Sequence, residues 1–108
     1  MSTAVRVVLV TCESAAQAES LAEALVGERL AACVNVVGPI RSIYRWQGEI
    51  QHESEYLLVI KTAADRMAAL DERIRQLHTY ETPEILALPV DAGSAGYLDW
   101  LLQQVQPE

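Results

Sequence analysis

The stretch His78–Ile85, "HTYETPEI", places a histidine, a tyrosine, two glutamates and a proline within eight residues. A neutral imidazole suits copper, zinc and nickel, and a thiolate adds affinity for soft ions. His78 and the two cysteines, Cys12 and Cys33, are therefore the candidate metal-ligating residues. Each also has a structural reading. An imidazole at a helix C-terminus interacts with the last carbonyls and the helix dipole, and lone cysteines behave as small buried hydrophobes. Neither an HxxxH nor a CxxC spacing occurs, so a tight structural zinc site is not expected. Glu81 and Glu84 flank Pro83 as an acid/base pair would, but they lack a nucleophile and a visible substrate pocket. No nucleophile, base and orienting group assemble from these residues, so no enzyme is expected, no catalytic residue is assigned and no cofactor is obligatory.

The elements that must position these groups follow from periodicity. Val5 to Thr11, "VRVVLVT", predicts a central strand buried on both faces. Ser14 with Gln17 forms a capping-box pattern for a helix from about Ala15 to Glu28, with Gly27 weakening its end. Ala32 to Val37 reads as a strand, Gly38-Pro39 as a bulge or an edge, and Ile40 to Trp46 as its continuation. Gln47-Gly48 is a tight turn, and Glu49 to Lys61 returns. Thr62 is placed to cap a second helix. Its apolar stripe is Met67, Leu70, Ile74 and Leu77, its Asp71/Arg75 pair has i,i+4 spacing, and its end falls near His78. Pro83 forbids helix beyond that point. Ile85 to Val90 predicts a short edge strand, and Ser94 caps a last helix carrying Tyr97, Leu98, Leu101 and Leu102. The order β-α-β-β-α-β-α predicts one α/β domain over 1–108, a ferredoxin-like βαββαβ sandwich with a C-terminal helix.

The second and third strands make a long bent hairpin. Arms of about fourteen residues reach roughly 45 Å, whereas a domain of this size has a radius of gyration near 13 Å. The overhanging edge carries Ile40, Ile43, Tyr44, Trp46 and Ile50 and needs a cover, most simply another copy of the chain. Net charge is -7, and no basic stripe offers itself to nucleic acid or an anionic membrane. The apolar run Val7 to Val10 is too short for a signal peptide or a membrane span, so a cytoplasmic location is expected.

The segments "VTCE", "RLAACVNVV", "SIYRWQGEI", "VIKT", "HTYETPEI" and "YLDWL" occur in this order. Together they resemble the CutA family of divalent-cation tolerance proteins over Val7 to Leu102. The resemblance implies a ferredoxin-like protomer in a tight homotrimer built through its long strands. It also implies a role in divalent-metal tolerance, copper binding in some members, and a trimer similar to that of the PII signalling proteins, which hold small ligands between subunits. Two departures stand out. The family often has His-Pro-Tyr-Glu where this chain has His78-Thr79-Tyr80-Glu81, and proline after the first cysteine where this chain has Glu13.

The leading expectation is a non-enzymatic, cytoplasmic homotrimer serving metal tolerance, with Cys12, Cys33 and His78 as contacts for copper or another divalent cation. Tyr80, Glu81 and Glu84 are expected at the joint or a subunit boundary, and His52 is expected to be packed or solvent-facing. Tyr44 and Trp46 share one strand face, as trimer core or as a stacking platform. Arg41 and Arg45, on the other face, would pair with Glu53 or Glu55 or hold an anion. Trp100 is expected to pack. The alternative is a PII-like signalling module binding a metabolite or nucleotide in inter-subunit clefts, with Gly93-Ser94-Ala95-Gly96 as the nearest phosphate cradle. A purely structural scaffold is a third reading.

Overall fold

The β-branched run near the start of the chain forms β1 (Val5–Cys12), and the capped segment after it forms α1 (Ala15–Gly27). The hairpin is β2 (Cys33–Trp46) and β3 (Glu49–Ala63). A 3-10 turn (Ala64–Arg66), α2 (Met67–Leu77), β4 (Leu86–Pro89) and α3 (Ala95–Gln104) complete the order. The structure is a computed structural model that describes residues 2–107; the outermost residues of the 1–108 reading, Met1 and Glu108, lie outside the described residues. The strands pair antiparallel in the order β2-β3-β1-β4, which gives the ferredoxin-like α/β architecture.

The Ser14 hydroxyl accepts the Gln17 N–H at 3.1 Å, the expected half of the capping box. The reciprocal half is missing, because Gln17 Oε1 is buried without a partner. Gly27 still belongs to the helix. The left-handed residue beyond it is Arg29, at φ 60°, a position where glycine is the usual choice. The Arg29 guanidinium donates to the Gln104 carbonyl at 3.2 Å and so ties the end of α1 to the end of α3.

Thr62 does not cap α2. It lies within β3, fully buried, and its hydroxyl donates to the Leu30 carbonyl at 2.7 Å. The cause is pairing: β3 continues until Ala63 meets Val5, so the helix starts later, after a 3-10 turn. The predicted Asp71–Arg75 pair forms at 3.1 Å.

Val8, Val10 and Cys12 point from β1 toward α1 and α2, where they are fully buried with Leu21, Leu25, Leu58, Ile60, Leu70 and Ile74. Each such aliphatic side chain contributes about 1.5–3 kcal/mol. The other face differs from the expected double burial. There α3 covers one end, packing Leu101 and Val105 on Val5 and Ala63. Val7, Leu9, Leu57 and Val59 beyond it are half-buried, and Leu86 and Leu88 of β4 are exposed.

The hairpin turns through Gln47 and Gly48, at φ 50° and 82°, the positive values that a two-residue turn requires. Its bulge falls between Val37 and Ile40, where Gly38 lies against the Tyr56 ring. The molecule is 44 Å long with a radius of gyration of 14.4 Å, above the roughly 13 Å of a compact chain this long. No described helix is long and apolar enough to cross a membrane.

Candidate functional site

His78 terminates α2, its main-chain N–H donating to the Ile74 carbonyl at 2.8 Å. Its side chain does not cap its own helix. The ring crosses to the end of β1, with Nε2 2.7 Å from the Thr11 carbonyl oxygen. Nδ1 accepts the Tyr80 N–H at 3.0 Å. A carbonyl can only accept, so Nε2 carries the proton, and the Nδ1 lone pair is already engaged. The ring is thus a neutral imidazole with no free lone pair, and it packs beside Tyr80 at 4.8 Å between centroids.

Cys12 and His78 do meet: the sulfur lies 3.9 Å from Nε2. Burial, then the charges of Glu55 and Glu13, push the Cys12 thiol up to about 11. As they stand, the two groups are a protonated thiol beside an imidazole with no free lone pair, neither a preformed thiolate ligand nor an activated nucleophile.

Cys33 does not join them. Cys12 pairs with Tyr56, and Cys33 with Lys61, five residues further along β3. Five residues span about 17 Å along the strand, and the odd step places the two cysteines on opposite faces of the sheet. Cys33 is half-buried, with its sulfur 4.0 Å from Lys61 Nζ, and that ammonium also bonds to the Asn35 side chain. The expected three-residue metal set is therefore divided within one chain. Among the described residues no three His, Cys, Asp or Glu side chains converge as a metal site would need.

The upward shift at Cys12 predicts alkaline weakening. A thiol held near 11 when folded and near 9 when unfolded binds more protons in the folded state between those values. Its contribution is complete below pH 9 and is lost as pH rises toward 11, to the order of 2 kcal/mol. Urea midpoints measured from pH 7 to 11 should fall more steeply for the wild type than for Cys12→Ala. Parallel curves would contradict the assignment.

A cavity of about 760 Å³ opens beside this cluster, between the distal hairpin and the joint that links α2 to β4. Ser42, Ile43, Tyr44 and Trp46 of β2 form one wall, and Thr11 and Glu55 line its interior. Thr79, Tyr80, Glu81, Thr82 and Glu84 form the other wall. Tyr80 Oη donates to Glu55 Oε2 at 2.8 Å. Burial first, then this bond and the charges of Glu55, Glu13 and Tyr44, hold the Tyr80 phenol above its ordinary range.

Glu55 is the residue that sequence reasoning misplaces. It does not pair with Arg41 or Arg45; Arg45 instead donates to the Gly48 carbonyl at 3.3 Å. Glu55 is 7% exposed and shares a strand face with Leu57 and Val59. An acid in register with apolar residues is the available signal. Tyr44 and Trp46 do share a face, as expected, and it lines the cavity. His52 is solvent-facing. Trp100 stays partly exposed and pairs with Tyr97 at 5.6 Å between ring centroids. Gly93, in the suggested phosphate cradle, is packed by Leu98: a Cβ there would lie 3.2 Å from Leu98 Cδ2.

A family model described as "CutA1 divalent ion tolerance protein" matches residues 6–104. The divalent-cation tolerance protein CutA of Thermus thermophilus is 53% identical over 95 residues, covering 88% of this chain and 92% of that protein. The chloroplastic protein CutA of Arabidopsis thaliana is 45% identical over 88% of this chain, which spans about half of that relative, 52%. The solved structure of the divalent cation tolerance protein Cut A1 from Thermus thermophilus superposes with a TM-score of 0.92 at 49% identity, covering 94% of this chain and 99% of that one.

Proposed function

The chain belongs to the CutA1 divalent ion tolerance family, and from that premise we propose that it serves divalent-cation tolerance as a non-enzymatic homotrimer assembled through its long hairpin. The observation that carries this reading is the uncovered arm. Ile43, Trp46 and Ile50 are 64%, 56% and 60% exposed, and they sit on a hairpin whose outer strand, β2, is a sheet edge. A long apolar edge of this kind recruits other strands unless it is covered. On the sheet face that Trp46 shares, Leu86, Leu88, Leu9 and Val59 continue the apolar surface. Copies of the same chain offer a cover of matching length.

The ion we favour is copper or a similar divalent cation, held weakly. Cys33 is the more accessible soft donor. The Cys12–His78 pair takes up metal only after the thiol loses its proton and the ring gives up one of its two hydrogen bonds, so uptake there is weak and rises with pH. Two free cysteines accord with a reducing, cytoplasmic setting.

Sedimentation and copper titration test the proposal together. The wild type should sediment as three chains, and Ile43→Asp combined with Ile50→Asp should lower that mass. Copper affinity should fall in Cys33→Ser. A monomeric wild type would end the assembly reading. Unchanged copper affinity in Cys33→Ser and in Cys12→Ser would remove both thiols.

A further inference from the structure

The end of the molecule remote from the hairpin turn carries a second, smaller cavity of about 330 Å³. Gly27, Glu28 and Arg29 at the end of α1, Arg66 in the 3-10 turn before α2, and Pro107 beyond α3 line it. None of these residues belongs to a strand. The cavity therefore lies off the hairpin arm and off the open sheet face that other copies of the chain would cover.

Arg66 is the unusual member of this group. It is half-buried, and its Nε is buried without a hydrogen-bond partner. The ion pairs of the described residues are Glu28–Arg73 and Asp71–Arg75, so no carboxylate neutralises it. A buried donor without an acceptor is costly, and more so on a charged group. The ordinary role for an arginine here, closing the last turn of α1, is already filled. The carbonyls of Ala24, Leu25 and Val26 accept from the main-chain N–H groups of Glu28, Arg29, Leu30 and Ala31.

The surrounding charges favour an anion. Glu28, the one carboxylate among the described lining residues, is held through both oxygens by Arg73, at 2.8 and 3.0 Å. Arg29 adds a second guanidinium to the wall, at a backbone φ of 60° where glycine is the usual choice. Arg66 also directly precedes α2, an 11-residue helix whose start has no side-chain cap, so the positive end of that helix adds to the same field. An arginine fork matches the oxygens of a phosphate group. The volume is at the lower end of small-molecule sites, roughly 300–1,000 Å³, which suits a single small anion.

We propose that this cavity binds a small oxyanion of the phosphate type. Arg66 is its anchor, Arg29 is a second positive wall, and the Glu28–Arg73 pair keeps free carboxylate charge out of the site. The site is independent of the metal contacts and of the subunit interface.

Titration of the assembled protein near pH 7, at constant ionic strength, tests the proposal with inorganic phosphate and glycerol 3-phosphate as probes. Phosphate should bind saturably at one site per chain. Equal affinity for the ester assigns the site to the phosphoryl group whichever molecule carries it, and binding of phosphate alone assigns it to the free ion. Arg66→Gln should weaken binding by about tenfold or more, the loss of a charged hydrogen bond. Arg66→Lys keeps the charge without the fork and should fall between the two. Arg73→Gln leaves Arg66 in place but frees the Glu28 carboxylate, and should weaken binding by about threefold. It decides the matter if Arg66→Gln does not fold. A non-saturable signal, equal affinities in wild type and variants, or equal displacement by chloride would overturn the proposal.

Discussion

Replacing His78 with alanine is expected to destabilise the fold by roughly 2–4 kcal/mol. The imidazole is a cross-tie. One nitrogen satisfies the Thr11 carbonyl at the end of β1, and the other satisfies the Tyr80 N–H in the joint. Both bonds lie beside a ring that is 9% exposed. Alanine removes both partners and leaves a void against Cys12 and Tyr80, and each buried group left unpaired costs about 1–3 kcal/mol. His78→Gln retains an amide donor and an acceptor and should recover part of the loss. Urea unfolding at one fixed protein concentration, near pH 7, makes the comparison. A loss below about 0.5 kcal/mol for alanine, the size of an ordinary surface change, would show that the cross-tie has no structural weight.

The second large effect concerns Gly38. A Cβ at this position would lie 2.5 Å from Tyr56 Cδ2 and 3.0 Å from its Cγ and Cε2. These are ring atoms near the base of the side chain, so a small swing of the hydroxyl end gives no relief. Tyr56 is itself packed against the main core cluster. Gly38→Ala should therefore cost about 1–3 kcal/mol, the usual range for overpacking. The cause is checked by a double-mutant cycle. In a Tyr56→Ala background the same glycine substitution should cost much less. Costs that simply add would place the penalty somewhere other than the Tyr56 ring.

Local signals in the sequence are legible where local physics decides. Ser14 caps α1 because its hydroxyl needs a partner only three residues away. The α2 stripe and its Asp71–Arg75 pair follow from helical spacing. The two-residue turn at Gln47-Gly48 needs positive φ, and glycine announces it. The same signals mislead where a distant strand decides. Thr62 is a plausible cap until Ala63 is seen to pair with Val5. His78 is a plausible helix cap until its ring finds Thr11, 67 residues earlier. Cys33 is a plausible companion to Cys12 until the β3 register fixes both their separation and their faces. Within the candidate site, Tyr80 and His78 are visible as residue types. The carboxylate that completes the cavity, Glu55, is hidden because only the fold brings it to Tyr80.

The hairpin also bears on the order in which the chain folds. Its two strands are joined by two residues, so their ends close with little loss of chain entropy, and hairpins form within about 1–10 μs. The pairing of β1 with β4 joins opposite ends of the chain, Arg6 with Pro89, and must wait for a far larger loop. The arm with its apolar edge therefore matures before the core that will hold it. Glu49 and Glu53, exposed along that arm, set charge beside the apolar edge while the core is still incomplete.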